Sequence, residues 1–107
     1  MNDTLKRQIQ KTLSEAVAEF KNSNEAYNFL NDFLTPFEFE SLAKRLSVAY
    51  WLTKKRSYEN IKTNLKVSSA TIAEVNNLMK KKNFNIAIKK LAADEWAEKW
   101  AKKLKRL

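Results

Sequence analysis

SYENIKTNLKVSSATIAEVNNLM, residues 57–79, decides the fold of this 107-residue chain. Ile61 and Leu65 stand four apart, Val67 follows directly, and Ile72, Val75 and Leu78 recur at intervals of three. That spacing predicts a short helix over about Tyr58–Leu65, a tight turn at Val67, and a second helix over about Ser69–Lys80. Ser57 and Ser68 stand where each helix needs an N-cap. One face of each helix is then buried, while the polar start of the second helix projects. With Ile72 and Val75 inward, Ser69, Ala70, Ala73, Glu74 and Asn77 fall on the outward side, and Thr71 and Lys62 flank the groove.

The sequence before this hairpin reads as three helices. Leu5, Ile9, Leu13, Val17 and Phe20 form one stripe over about Asp3 to Lys21, with Lys6, Arg7, Gln10, Lys11 and Glu15 on the other face. Asn22, Ser23 and Asn24 interrupt it, and Asn24 can cap a short helix carrying Tyr27, Leu30, Phe33 and Leu34. Thr35, Pro36 and Glu38 read as a capping box with proline at the first helical position. The helix they start extends to about Lys54, with Phe39, Leu42, Ala43, Leu46, Ala49 and Tyr50 on one side. Phe37, Val48, Trp51 and Leu52 add apolar surface elsewhere around it, so more than one face needs cover. In a chain this short, a second subunit is a natural source of that cover.

Composition narrows the chemistry. Gly is absent and Pro occurs once, so hairpin turns lack their usual residues and an all-α fold is expected. Cys and His are also absent, which removes disulfides, thiolate chemistry, imidazole bases and the ordinary zinc sites. Glu38 and Glu40, two apart on a helix, point in different directions, and Asp94, Glu95 and Glu98 read as solvated charges. No enzyme is expected. MNDTLKRQIQ lacks the apolar run of a signal peptide, and the longest wholly apolar run, Val48 to Leu52, is far too short to span a bilayer. A cytoplasmic protein is the expectation.

The net charge of +9 is unevenly spread. Up to Thr53 there are six Lys or Arg against seven Asp or Glu, a net of −1; from Lys54 onward there are fifteen against five, a net of +10. Cationic charge gathered around a helical hairpin suits a polyanion, because each neutralised phosphate releases condensed counterions. Double-stranded DNA is therefore the leading partner, with the second hairpin helix entering the major groove. The candidate contacts are Lys62, Ser68, Ser69, Ala70, Thr71, Ala73, Glu74, Asn77, Lys80 and Lys81. Small residues allow close approach to base edges, hydroxyls donate to phosphates or bases, and lysines neutralise the backbone. Glu74 repels phosphate, yet a carboxylate can accept from a cytosine amino group.

At these residues the chain resembles a known family. LNDFLTPFEFESLAKRLSVAYWL followed by SYENIKTNLKVSSATIAEVN is similar to the Trp repressor superfamily, most closely its YerC/YecD-like branch. The likeness runs from about Asn22 to Lys80 and rests on Leu34 to Pro36, Leu42, Arg45 and Ala70 to Asn76. It implies an intertwined homodimer whose second hairpin helix reads operator DNA, hence a transcriptional regulator and most simply a repressor. The chain departs from the family in two places. Lys66 stands where the family usually has a turn glycine, so a non-glycine residue has to hold a left-handed backbone at a cost of about 1 kcal/mol. In tryptophan-binding members a pair of arginines flanks the indole. Arg45 matches one and Thr35 matches a threonine of that pocket, but Glu74 replaces the second arginine. That exchange removes a stacking surface and a positive charge, which argues against tryptophan as corepressor and makes Thr35 a helix cap. No other effector is implied.

Beyond the likeness, Ile88, Leu91, Ala92, Trp96, Trp100 and Leu104 recur at near-four spacing from Asn85 onward, among Lys89, Lys90, Lys99, Lys102, Lys103, Lys105 and Arg106. This reads as a basic amphipathic helix that packs through its stripe, adds phosphate contacts, or lies on an anionic membrane. The expected organisation is one domain, 1–107, with dimerisation helices at 1–56, the helix-turn-helix at 57–80 and the basic helix at 81–107. The competing class is an interaction protein that does not bind DNA, either an RNA binder or a membrane-surface adaptor working through the last helix.

Overall fold

The computed structural model describes residues 1–106 and contains six helices, with no strand among them. They are α1 (Asp3–Ala18), α2 (Ser23–Phe33), α3 (Pro36–Thr53), α4 (Tyr58–Leu65), α5 (Ser69–Leu78) and α6 (Lys82–Lys105). The chain divides into two compact units, the first Met1–Phe39 and the second beginning at Glu40.

In the first unit no residue of α1 or α2 is fully buried. The stripe of Leu5, Ile9, Leu13 and Val17 remains about half exposed in the single chain. Successive positions four apart overshoot a full turn by about 40°, so this stripe winds gradually around α1. Aromatic rings supply much of the unit's packing, with Phe20 and Phe29 centroids 5.0 Å apart, Phe29 and Phe33 5.2 Å, and Tyr27 and Phe39 5.6 Å. Asn22, rather than Asn24, caps α2: its side-chain oxygen accepts from the Glu25 amide at 2.9 Å. Three consecutive residues could each serve as cap, and tertiary context selects the first. The capping box forms as read, with the Thr35 amide donating to the Glu38 carboxylate at 2.9 Å and the Glu38 amide donating to the Thr35 hydroxyl at 3.1 Å. Hydrogen bonding from Thr35, its backbone amide first and its side chain second, favours the ionised carboxyl and holds Glu38 below the usual glutamate range.

The second unit has a core of six fully buried side chains: Val48 and Ala49 from α3, Ile61 from α4, Ile72 and Val75 from α5, and Ile88 from α6. Trp51, Leu52, Leu65, Val67, Met79 and Phe84 pack around them. The face of α3 that faces this core is therefore Val48–Ala49 with Leu52. Leu42 and Leu46, read on one side with Ala49, stay 50% and 43% exposed in the single chain.

α3 ends in a Schellman turn. Lys55 takes a left-handed conformation (φ 59°), its amide donates to the Leu52 carbonyl at 3.0 Å, and the Arg56 amide donates to the Trp51 carbonyl at 3.3 Å. Arg56 then folds back with its guanidinium 3.9 Å from the Trp51 ring centroid. Lys54, Lys55 and Arg56 thus lie past the last turn of α3, and Lys54 pairs with Glu95 of α6. Partial burial, with the nearby charges of Lys99 and Arg56, draws Lys54 below the ordinary lysine pKa.

α6 starts at Lys82, ahead of the apolar stripe read from Asn85 onward. The Asn85 side chain donates to the Met79 carbonyl at 3.0 Å, satisfying the end of α5. Of the α6 stripe, Ile88 is buried and Ala92 half-buried, whereas Leu91, Trp96, Trp100 and Leu104 are exposed. No helix among the described residues is long and apolar enough to cross a membrane.

Candidate nucleic-acid interface

The hairpin is set by local chemistry at three points. Ser57 accepts from the Asn60 amide at 3.1 Å to start α4, and Ser68 accepts from the Thr71 amide at 3.1 Å to start α5. Between them Lys66 closes α4 in the left-handed region, at φ 57° and ψ 49°. The strain expected where glycine is missing is therefore present, and a lysine bears it. Val67 follows, half-buried against the core, and ties the turn down.

α5 is anchored by Ile72 and Val75, both fully buried, so its opposite side is left outward. Ser69, Ala70, Ala73, Glu74 and Asn77 are all exposed on that side. Lys62 on α4 and Lys80 and Lys81 after α5 are exposed as well. Ser68 and Thr71 differ from the rest. The Ser68 hydroxyl is engaged in the cap and lies 3.0 Å from the Thr71 hydroxyl, and Thr71 is half-buried. These two side chains hold the start of α5 in shape, while the residues beside them remain open.

The connection from α5 to α6 is short and fully bonded. The Lys80 amide donates to the Asn77 carbonyl at 3.1 Å and the Lys81 amide to the Leu78 carbonyl at 2.9 Å. The backbone that carries two exposed cationic side chains is thereby held at the end of the outward helix.

Arg45 of α3 and Glu74 of α5 line one open depression of about 320 Å³, together with Ser41, Lys44, Lys66 and Thr71. Opposite charges thus face the same space. Thr35 does not line it, and its hydroxyl is taken by the Glu38 amide. Lys44 and Lys66 were not among the residues expected at the site. Lys44 sits one position from Arg45 on α3, and Lys66 drew notice for its backbone alone, although its side chain is an exposed cation beside the start of α5.

Residues 8–92 match the family described as Trp repressor protein. Over 73 residues the chain is 36% identical to the uncharacterized protein YerC of Bacillus subtilis (strain 168), a stretch covering 68% of this chain and 70% of that protein. The crystal structure of a TrpR-like protein from Eubacterium eligens superposes with a TM-score of 0.72 at 33% identity, covering 85% of this chain and 96% of the other. The six helices, the hairpin held by Ile72 and Val75, and these matches converge on one assignment: the chain belongs to the Trp repressor family, on its YerC-like branch.

Proposed function

We propose that this protein is a sequence-specific, DNA-binding transcriptional regulator that works as a homodimer in the cytoplasm, most simply as a repressor that occupies its operator. The observation that carries the reading is the two-sided construction of α5. Ile72 and Val75 are sealed in the core, and the small residues Ser69, Ala70, Ala73 and Asn77 are turned outward between exposed Lys62 and Lys80–Lys81. Ser69, Ala70, Ala73, Glu74 and Asn77 are assigned to base edges; Lys62, Lys66, Lys80 and Lys81 to phosphates. Ser68 and Thr71 position the helix.

The dimer is supported by the uncovered apolar surface of the single chain, which includes the α1 stripe, Phe37, Leu42 and Leu46. No catalytic role is assigned, and no tryptophan corepressor, since Glu74 brings a carboxylate to the depression that Arg45 lines.

Titration against duplex DNA at two salt concentrations tests the proposal. Affinity should fall steeply with salt, and the doubly substituted Lys80→Glu, Lys81→Glu chain should bind more weakly, with a salt slope smaller by about 2 per subunit. Selection from random duplexes should return two-fold related half-sites spaced about one helical turn apart or a multiple of it. Weak, salt-insensitive binding with no enriched motif overturns the reading.

A further inference from the structure

The exposed end of α6 lies outside everything assigned above. The family match stops at residue 92, so Ala93–Lys105 continues α6 for three turns past it. Apolar residues at four-residue intervals rotate about 40° per step around a helix, so Leu104 lies about 160° around from Ile88. The same stripe that buries Ile88 in the core therefore turns away from it and leaves Trp96, Trp100 and Leu104 at 64%, 47% and 62% exposure. The two indoles lie side by side, with centroids 5.7 Å apart, and the Lys103 ammonium stands 5.4 Å from the Trp100 centroid. Lys99, Lys102, Lys105 and Arg106 share the rest of the circumference with Asp94 and Glu98, which fall on the side away from the indoles, and Glu95, toward the core, is paired to Lys54 and Lys99.

We propose that the last three turns of α6 form a docking surface for an anionic lipid bilayer, with Trp96, Trp100 and Leu104 entering the headgroup boundary and the surrounding lysines on the lipid charges. Charge selects the occupant. A second copy of this face would bring the same cations against it and repel. A DNA duplex would use the lysines, yet its phosphate surface offers nothing to three large apolar side chains. Single-stranded nucleic acid would stack on the indoles but has no use for Leu104. An anionic bilayer meets all three demands at once, because amphipathic indoles favour the headgroup level and cations bind acidic lipids.

The test is sedimentation of the full-length protein with vesicles of phosphatidylglycerol and phosphatidylcholine, compared with vesicles of phosphatidylcholine alone, following Trp emission in parallel. Binding to the acidic vesicles alone is expected, with a blue shift of emission. The Trp96→Ala, Trp100→Ala chain should lose at least about tenfold in vesicle affinity. The positions substituted are exposed, so helix content by circular dichroism should be unchanged and duplex DNA binding should persist, which separates this proposal from the regulator reading. Leu104→Gln, a milder change, should weaken vesicle binding in the same direction. Failure to bind acidic vesicles at low salt overturns the proposal. So does vesicle binding indifferent to the two tryptophans, or a blue shift produced instead by single-stranded oligonucleotide.

Discussion

Replacing Lys66 with glycine should stabilise this protein, although it deletes a charged side chain at the centre of the proposed DNA interface. Lys66 holds φ 57° and ψ 49°. There the Cβ of an L-residue crowds the following carbonyl at a cost of roughly 1–2 kcal/mol. Glycine removes that cost, while its greater freedom in the unfolded chain takes back about 0.5–1 kcal/mol. Loss of the cation at the C-terminal end of α4 takes a few tenths more. A net gain of up to about 0.5–1 kcal/mol remains, which for a domain of this size raises Tm by about 2–6 °C. Lys66→Val should move the other way by about 1 kcal/mol or more, because a branched Cβ is worst in that conformation. Thermal unfolding followed by circular dichroism suffices, at one fixed protein concentration so that self-association does not shift Tm. If glycine and valine both lower Tm by similar amounts, the backbone at Lys66 is not the seat of the strain and the account of the turn fails.

Other substitutions test the neighbouring supports. Ser68→Ala removes the acceptor for the Thr71 amide and should cost about 1 kcal/mol in urea unfolding, with looser DNA discrimination as the start of α5 frays. Val75→Ala, at a fully buried site, should cost about 2–3 kcal/mol and lower the denaturation midpoint with little change in slope. Because Glu38 titrates below the ordinary glutamate pKa in the folded chain, its contribution is complete above that ordinary value and is lost as pH falls through the lowered one. Glu38→Gln should therefore lower stability slightly near neutrality and converge with the unsubstituted chain in acid, which flattens the acid limb of a stability-versus-pH curve.

What could be read from the sequence was what neighbouring residues decide. The capping box at Thr35–Glu38, the serine caps at Ser57 and Ser68, the left-handed Lys66 and the inward set Ile61, Ile72 and Val75 are each fixed within four residues of chain, and each stands as read. Long apolar stripes were less legible. Spacing by four looks like one face on paper, but over four steps it winds nearly halfway around a helix, so the α6 stripe is buried at Ile88 and exposed at Leu104. On α3 more than one apolar face was legible, but which of them turns to the core is decided by helices distant in sequence: Val48 and Ala49 are fully buried while Leu42 and Leu46 stay exposed in the single chain. At the proposed interface, residue type alone could not separate hydroxyls that contact DNA from those that cap. Ser68 was legible as a cap, but the half-burial of Thr71 and the pairing of its hydroxyl with that of Ser68 emerged only from the geometry.

The six-residue core of the second unit draws on four helices, with no helix supplying more than two members. No pair of these helices therefore holds the whole of the buried surface, and α5, though packed on α4, loses part of its cover once α3 or α6 lifts away. Amide protons of α4 and α5 should accordingly exchange with solvent through whole-unit opening rather than through separate local fluctuations, so the outward face of α5 exists as a surface only while the whole unit is folded.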